Sequence, residues 1–550
     1  MITFNIAARL SEAAARTPDK KAVVAVSGRE GGKAVYEHLT FAELDKRAGQ
    51  YAAGLHRVGI RKGVRTVLMV TPGLDFFALV FALYRVGATL VLIDPGIDKK
   101  ALAKCLKEVE PEAFVGVPMA HVARLIFRSA LKTVTTNVTV GRRWFWGGSR
   151  LRDLLDDEPR PCEPTASDDV AAILFTSGST GVPKGAVYTH GIFASQVRML
   201  QDIYQFGPDE TDLSTFPLFA LFLAALGVTS VIPDMDARKP ASADPVKLIE
   251  AITDHGCTNM FGSPALLDTL SRHGEASGTR LPTLRRVLSA GAPVRHDILL
   301  RMKAMLNDGV QIFTPYGATE SLPVANVGSD EVLADTHALT ATGHGVCVGR
   351  PVDEMTVRVI RITDEPIESW SDDLLAPAGE VGEITVKGPV VTPAYYGRPE
   401  QTARAKIDEG GQVVHRMGDV GRFDEQGRLW MCGRKTHRVE SASGPLFTIP
   451  IEMVFNQDPD VWRTALVGLG EPGSQEPVLL VEPQPGNNVD AGELLARLQD
   501  LAGKHDATSA IDRIELYPGS FPVDIRHNAK INRETLTAWA NERLHSNGAA

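Results

Sequence analysis

The chain has 550 residues, more than one hydrophobic core organises, so two or more domains are expected. Its hydrophobic share of 44% and charged share of 23% are those of a soluble globular protein, and a net charge of −9 excludes a nucleic-acid binder built on a basic face. Cys105, Cys162, Cys257, Cys347 and Cys432 lie far apart, without metal-ligand or redox spacing, and their odd number suits a reducing cytoplasm.

Met1 to Lys21 predicts an amphipathic helix and lacks the basic-then-apolar order of a signal peptide. Residues 1–100 read helix, strand, helix, strand, an alternation that implies parallel sheet with helices on its faces. Thr40, followed by Glu43, marks a capping box at a helix start. Arg65 to Val70 and Leu90 to Ile93 read as strands; between them Phe76 to Val86 is a buried helix ended by Gly87-Ala88. Arg142-Arg143-Trp144-Phe145-Trp146, with Arg150 and Arg152 nearby, is basic and aromatic. It reads either as a contact for lipid headgroups or a partner protein, or as a surface linker, and the linker is the expectation. Asp153 to Asp169 is acidic, contains prolines and reads as a loop. The apolar run from Leu213 to Pro233 is interrupted by Pro217 and Gly227 and flanked by Asp212, Asp234 and Asp236, so it reads as a buried helix leading into a buried strand rather than a membrane span.

The stretches that carry chemistry begin after Val170 to Phe175, a short apolar run that reads as a buried strand. It leads into Thr176-Ser177-Gly178-Ser179-Thr180-Gly181-Val182-Pro183-Lys184-Gly185. Glycines let backbone N–H groups turn towards an anion, hydroxyls add donors and Lys184 adds a compact positive charge, which makes this a phosphate-cradling loop. Pro183 replaces the glycine that precedes the lysine of a Walker A loop, so it is not that loop. Val287 to Pro293 reads as a strand ending in a turn at Gly291. In Ile312 to Glu320, Tyr316 offers a flat stacking face, Thr319 a hydroxyl for phosphate, and Glu320 a hard oxygen ligand suited to Mg²⁺. Taken alone, Glu320 would be a carboxylate at a helix N-terminus. Gly345 to Gly349 mimics a nucleophile elbow around Cys347 but lacks the strand–elbow–helix pattern. Gly379 to Ile384 opens a strand, and Phe423 to Leu429 carries a hairpin signal. Asp419 follows Arg416-Met417-Gly418 and taken alone would be a turn aspartate, and Arg434 follows Gly433.

Residues 176–185 resemble the signature loop of the adenylate-forming superfamily, which comprises acyl-CoA synthetases, luciferases and peptide-synthetase adenylation domains. Gly87-Ala88, Asp94-Pro95, Thr189-His190, Gly349-Arg350-Pro351, Gly291-Ala292-Pro293, Tyr316 to Glu320, Asp419 and Gly433-Arg434 are similar to further superfamily segments. The resemblance implies an α/β fold class, with a large adenylation domain over 1–434 (stacked α/β sheets plus a small barrel-like subdomain) and a smaller mobile α+β lid over 435–550. It implies ATP and Mg²⁺ as cofactors. The nucleotide would be held by Thr176, Ser177, Gly178, Ser179, Thr180, Gly181, Lys184, Gly291, Ala292, Pro293, Tyr316, Gly317, Ala318, Thr319, Asp419, Arg434 and Lys530. Among these, Asp419 would accept hydrogen bonds from the two ribose hydroxyls and Arg434 would reach ribose or phosphate. Glu320 would hold the metal, and Lys530, Lys184, Thr319 and Glu320 would be catalytic.

The departures from the superfamily pattern are local. Ala220 stands where a histidine usually follows Phe216 to Phe219, and is expected to make room for a branched acyl chain. Thr436, beside Lys435, stands at the hinge; Val439 to Pro450 reads as a lengthened loop; and Ala529 replaces a glycine before Lys530. These segments, with Val231 to Asp236, Phe261 to Pro264 and Pro522 to Lys530, resemble the β-lactone synthetases of bacterial long-chain olefin biosynthesis over nearly the whole chain. That resemblance implies ATP-dependent adenylation of a long-chain 2-alkyl-3-hydroxy acid, followed by attack of its own 3-hydroxyl to give a β-lactone, AMP and pyrophosphate. His190, Asp524 and His527 are candidates for taking the hydroxyl proton. The implied partners are the acid and neighbouring pathway enzymes, a reductase and a β-lactone decarboxylase, with no nucleic acid, no transmembrane segment and a cytoplasmic location. A long-chain acyl-CoA or acyl-AMP ligase is the competing reading. A catalytically silent scaffold is a third, against which Lys184, Glu320, Asp419, Arg434 and Lys530 together speak.

Overall fold

A computed structural model describes residues 4–93, 97–155, 158–175, 183–487, 489–523 and 531–544. Two seven-stranded sheets of the same design carry the N-terminal part. In one, strands Gln311–Phe313, Arg286–Leu288, Asn259–Phe261, Thr211–Ser214, Thr229–Ile232 and Lys21–Glu30 run parallel in that spatial order, and Lys33–Thr40 adds an antiparallel edge. In the other, Ser149–Arg150, Thr136–Thr139, Ala113–Gly116, Arg65–Met69, Thr89–Leu92 and Val170–Phe175 run parallel, closed by antiparallel Gly185–Thr189. Both edges follow from hairpins, which need no crossover helix.

The helix Leu74–Arg85 explains how the two sheets share a core. Every residue in it but Asp75 is buried. Phe77 and Leu83 belong to one apolar cluster with Val23 of the first sheet and Leu90 of the second. A helix apolar on all sides has no solvent face and must be covered all round, and each such side chain contributes roughly 1.5–3 kcal/mol on burial. The helix Phe41–Arg57 packs on it and starts at the expected capping box: Glu43 N–H meets Thr40 Oγ1 at 3.2 Å, and Thr40 N–H meets Glu43 Oε2 at 2.8 Å.

A third, antiparallel sheet of eight strands begins with Tyr316–Ala318 and Ser321–Asn326 and includes Gln412–Phe423 and Leu429–Arg434. This is the barrel-like part expected from the sequence; its end strands, Tyr316–Ala318 and Thr356–Ile360, do not pair with each other among the described residues. Beyond it stands a three-stranded sheet, Val461–Leu469, Glu476–Pro483 and Arg513–Leu516, covered by helices that include Thr448–Phe455, Ala491–Ala502 and Arg533–Leu544.

Three expectations change. Residues 1–100 contain a hairpin, Lys21–Glu30 with Lys33–Thr40, where one strand was expected; the Gly31-Gly32 turn lets it reverse, both glycines lying at positive φ. The first helix covers only Ala8–Arg16 of Met1 to Lys21. The segment Val439 to Pro450, expected to be a loop, contains a hairpin, Val439–Ser441 with Gly444–Leu446, in which Ser441 Oγ donates to Gly444 O at 2.7 Å. The apolar run begins in strand Thr211–Ser214, continues as helix Pro217–Leu226 and ends in strand Thr229–Ile232. Among the described residues no helix is long and apolar enough to cross a membrane.

Candidate active site

In both parallel sheets the strands point their C-terminal ends at one cleft of 2460 Å³, the end at which open α/β sheets bind ligands. It exceeds the roughly 300–1,000 Å³ usual for a small-molecule pocket. Its polar part is lined by Lys184, Gly291 to Pro293, Tyr316 to Glu320, Asp419 and Arg434, and its apolar part by residues such as Val197, Leu200, Phe219, Phe222 and Phe261.

The polar part is built on the third sheet. Hairpin pairing sets Asp419 opposite Arg434, and Arg434 Nη1 donates to Asp419 Oδ1 at 2.8 Å. The Tyr316 hydroxyl donates to Asp419 Oδ2 at 2.7 Å. Asp419 is 4% exposed, so its carboxylate is largely removed from water, while the Arg434 side chain stays about a third exposed towards the cleft. The carboxylate beside it holds the Arg434 guanidinium above its ordinary value, and burial, then Asp419, raises the Tyr316 phenol well above its own. Gly433 must be glycine here: at φ 136°, a Cβ would stand 2.6 Å from Thr448 Oγ1.

Glu320 sits in the turn between Tyr316–Ala318 and Ser321–Asn326, not at a helix start, so the dipole alternative for it falls away. Its Oε1 accepts from the Tyr395 hydroxyl at 2.6 Å. Its backbone carbonyl accepts from Thr392 N–H at 2.9 Å and Thr392 Oγ1 at 3.1 Å. Lys406 in turn donates to Thr392 O at 2.6 Å and Oγ1 at 3.2 Å, while burial pushes its ammonium down to about 7. Lys184 Nζ lies 4.9 Å from the Tyr395 ring centre; burial lowers this ammonium too, and Glu320 opposes the shift. Tyr188 ties the neighbouring Thr319 carbonyl at 2.5 Å. Among the described residues no group of three or more His, Cys, Asp or Glu side chains gathers to hold a metal. Glu320 offers one carboxylate on this wall of the cleft, a donor of the kind that holds Mg²⁺ when substrate phosphates supply further ligands.

The structure therefore brings together Lys184, Gly291, Ala292, Pro293, Tyr316, Gly317, Ala318, Thr319, Glu320, Asp419 and Arg434. Gly291, at φ 98°, makes the turn expected after strand Arg286–Leu288. Thr176, Ser177, Gly178, Ser179, Thr180, Gly181, Lys530, Asp524 and His527 lie outside the described residues, as do Asp94 and Pro95. Tyr316, expected to stack, also orients Asp419 through its hydroxyl. Sequence reading passed over Tyr395, Thr392 and Lys406; the aromatic pair Tyr395-Tyr396 before Gly397 was the one local signal, and their approach to Glu320 is purely tertiary.

Two expectations are corrected. Ala220 is fully buried, belongs to the core and does not line the cleft. The helical period turns Leu218, Phe219, Leu221 and Phe222 to the cleft and Ala220 and Ala224 to the core. His190 is no base for the site. It is fully buried at the start of helix His190–Tyr204, its Nδ1 accepts from Ile6 N–H at 3.3 Å, and burial pushes it down to about 4. Cys347, buried in strand Val346–Pro351 and raised to about 11 by burial, is no nucleophile elbow.

Paired parallel sheets open their C-terminal ends onto one cleft beside a carboxylate–guanidinium–phenol cluster, the layout of an α/β ligand-binding enzyme. The chain belongs to the AMP-binding enzyme family, whose model matches residues 10–396, and is thus an ATP-dependent, AMP-forming ligase. It is 51% identical to an olefin beta-lactone synthetase of Xanthomonas campestris over 98% of this chain and 97% of that protein. It is 50% identical to an olefin beta-lactone synthetase of Stenotrophomonas maltophilia over 98% of each. In fold it is similar to the amide bond synthetase McbA from Marinactinospora thermotolerans, with a TM-score of 0.78 and 24% identity over 98% of this chain and 99% of that one. ATP-bound MatB from Rhodopseudomonas palustris matches with a TM-score of 0.77 and 21% identity over the same shares.

Proposed function

We propose that the chain adenylates a long-chain 2-alkyl-3-hydroxy acid with ATP and then closes it to a β-lactone, releasing AMP and pyrophosphate. The observation that carries this reading is half-identity to olefin beta-lactone synthetases across the whole length, on a chain whose nucleotide cluster of Tyr316, Asp419 and Arg434 is assembled.

In this reading Asp419 accepts the ribose hydroxyls, held in place by Tyr316 and Arg434. Gly291 to Pro293 flank the adenine. The acid's carboxylate attacks the α-phosphorus and pyrophosphate leaves. Both partners are anionic, so Lys184, Arg434, Lys530 and the donors of residues 176–181 offset their repulsion and the charge of the displacement. Mg²⁺ on Glu320 would supply further charge neutralisation on the phosphate oxygens. The acid's alkyl chains occupy the apolar part of the cleft, whose size suits a substrate with two chains. The 3-hydroxyl then attacks the acyl carbon, its proton leaves, and AMP departs. A tethered nucleophile has a high effective concentration, which works against the strain of a four-membered ring. No thiol acceptor is needed.

We further read 1–434 as the adenylation domain and 435–550 as a mobile lid that carries Lys530, a cytoplasmic location, and neighbouring pathway enzymes (a reductase and a β-lactone decarboxylase) as partners. The test is incubation with ATP, Mg²⁺ and a 2-alkyl-3-hydroxy acid without CoA. AMP and β-lactone ring protons in the NMR spectrum are expected. Consumption of the acid only when CoA is present, with a thioester as product, would overturn the reading.

A further inference from the structure

Helix Pro118–Ile126 separates the cleft from an aromatic, basic loop at 141–148. On one side of the helix Met119, Ala120 and Ala123 line the cleft. Met119 is also 66% exposed, so this is a mouth and not a closed wall. On the other side His121 stacks on Trp146, with ring centres 5.2 Å apart and planes at 13°. Trp146 donates to Thr139 Oγ1 at 3.0 Å, His121 is fixed by Val138 O at 3.1 Å, and Arg124 Nε donates to His121 Nδ1 at 3.3 Å. The base of the loop is therefore anchored. Its tip is not covered: Phe145 is 80% exposed and Trp144 48%, and on the helix that anchors the loop Ile126 is 72% exposed.

Such large apolar side chains seldom stand in water together without a function. Here they directly follow a pair of cations, Arg142 and Arg143. Arg128 and Arg142 form no ion pair among the described residues; Arg143 donates to Gly148 O and, with Arg150 and Arg152, acts on the single carboxylate of Asp153. These arginines outnumber the carboxylate they share, on a chain whose net charge is −9. Trp and Phe beside Arg is the composition that seats a surface at the headgroup level of an anionic bilayer.

We propose that helix Pro118–Ile126 and the 141–148 loop dock the enzyme peripherally on an anionic membrane, with the Met119 mouth of the cleft facing the lipid. This rests on the reading of the substrate as a long-chain acid: such an acid resides in the bilayer and would enter the apolar part of the cleft without crossing water. The surface expected from sequence to be a linker is thus given an occupant, and that occupant is lipid.

The test is sedimentation with vesicles of phosphatidylglycerol and phosphatidylethanolamine, compared with phosphatidylcholine vesicles, at low and high salt. The full chain should partition onto the anionic vesicles and be released by salt. Arg142→Gln and Arg143→Gln should each lower the partition by about fivefold, and Trp144→Ser with Phe145→Ser should lower it further. Ile126→Glu, on the helix, is an independent variant and should act in the same direction. AMP formation from a water-soluble short-chain acid should be unchanged in all of them. A wild-type chain that stays in solution with anionic vesicles at low salt overturns the proposal, and so does equal partition of the wild type and the four loop substitutions. Because vesicle binding reads no chemistry, a thioester product would remove the lactone reading and leave this result standing.

Discussion

The Tyr316 hydroxyl and the Arg434 guanidinium divide the carboxylate of Asp419 between them, one on each oxygen. Each oxygen keeps a further lone pair, and the two clamps fix where it points.

Tyr316→Phe should therefore weaken nucleotide binding while leaving Asp419 in place. A hydrogen bond to a charged group is worth about 1.5–3 kcal/mol, so ATP affinity should fall by about tenfold or more in calorimetry. Asp419→Ala should cost more, since it also leaves Arg434 without its partner. Acid binding should change little in either variant; equal losses for acid and nucleotide would indicate a folding defect.

Lys406 supports Glu320 through Thr392, which receives its ammonium and donates to the Glu320 carbonyl. In Lys406→Met this support goes. The Mg²⁺ concentration needed for half-maximal pyrophosphate exchange should rise several-fold, with little change in thermal stability, because the lost group is a buried cation already disfavoured by desolvation. An unchanged Mg²⁺ dependence would remove the supporting role.

Glu383 and Arg416 form an ion pair at 2.6 Å, each side chain 2% exposed, with Lys435 at 3.2 Å from the same carboxylate oxygen. Arg416→Met leaves a buried carboxylate short of its main partner and should cost about 3–5 kcal/mol in urea unfolding. Lys435→Met, which leaves the Glu383–Arg416 pair intact, should cost clearly less.

Chain-length selectivity should respond at the cleft and not at Ala220. Leu200→Trp fills the apolar part and should lower kcat/KM for long acids relative to short ones. Ala220→Phe overfills the core beside helix Ala8–Arg16 and should cost roughly 1–3 kcal/mol of stability, with the kcat/KM ratio unchanged. A shifted ratio in Ala220→Phe would return that residue to the cleft.

His190 carries an acid sensitivity. Its folded-state pKa, about 4, lies below the ordinary 6.5, so the unfolded chain binds the proton first as pH falls. Stability is then fully present above 6.5, declines between 6.5 and about 4, and has lost roughly 3 kcal/mol below that. His190→Phe should flatten the fall of stability with pH in this window. A slope equal to that of the wild type would mean that His190 is protonated in the folded protein.

The linear order of the chemistry was legible because each piece is local. A strand followed by a glycine turn at Gly291, a hydroxyl and carboxylate at Thr319-Glu320, and the Asp419 and Gly433-Arg434 strands of one hairpin are short patterns whose spacing already places donors and acceptors. The capping box at Thr40 and the mostly apolar run of Leu74–Arg85 are equally local, and the structure has both.

What only the tertiary structure decided is which side of an element faces the cleft and what stands behind the first contact. Ala220 and Phe219 are neighbours in sequence, yet the 100° step of a helix sends one to the core and the other to the cleft. His190 belongs to a Thr-His pair typical of the superfamily, but the N-terminal segment covers it and donates to it from Ile6, 184 positions away. Lys406 and Tyr395 approach Glu320 from strands and turns more than seventy residues distant. Such contacts depend on the packing of sheets against one another, a property of the whole chain that no window of sequence contains.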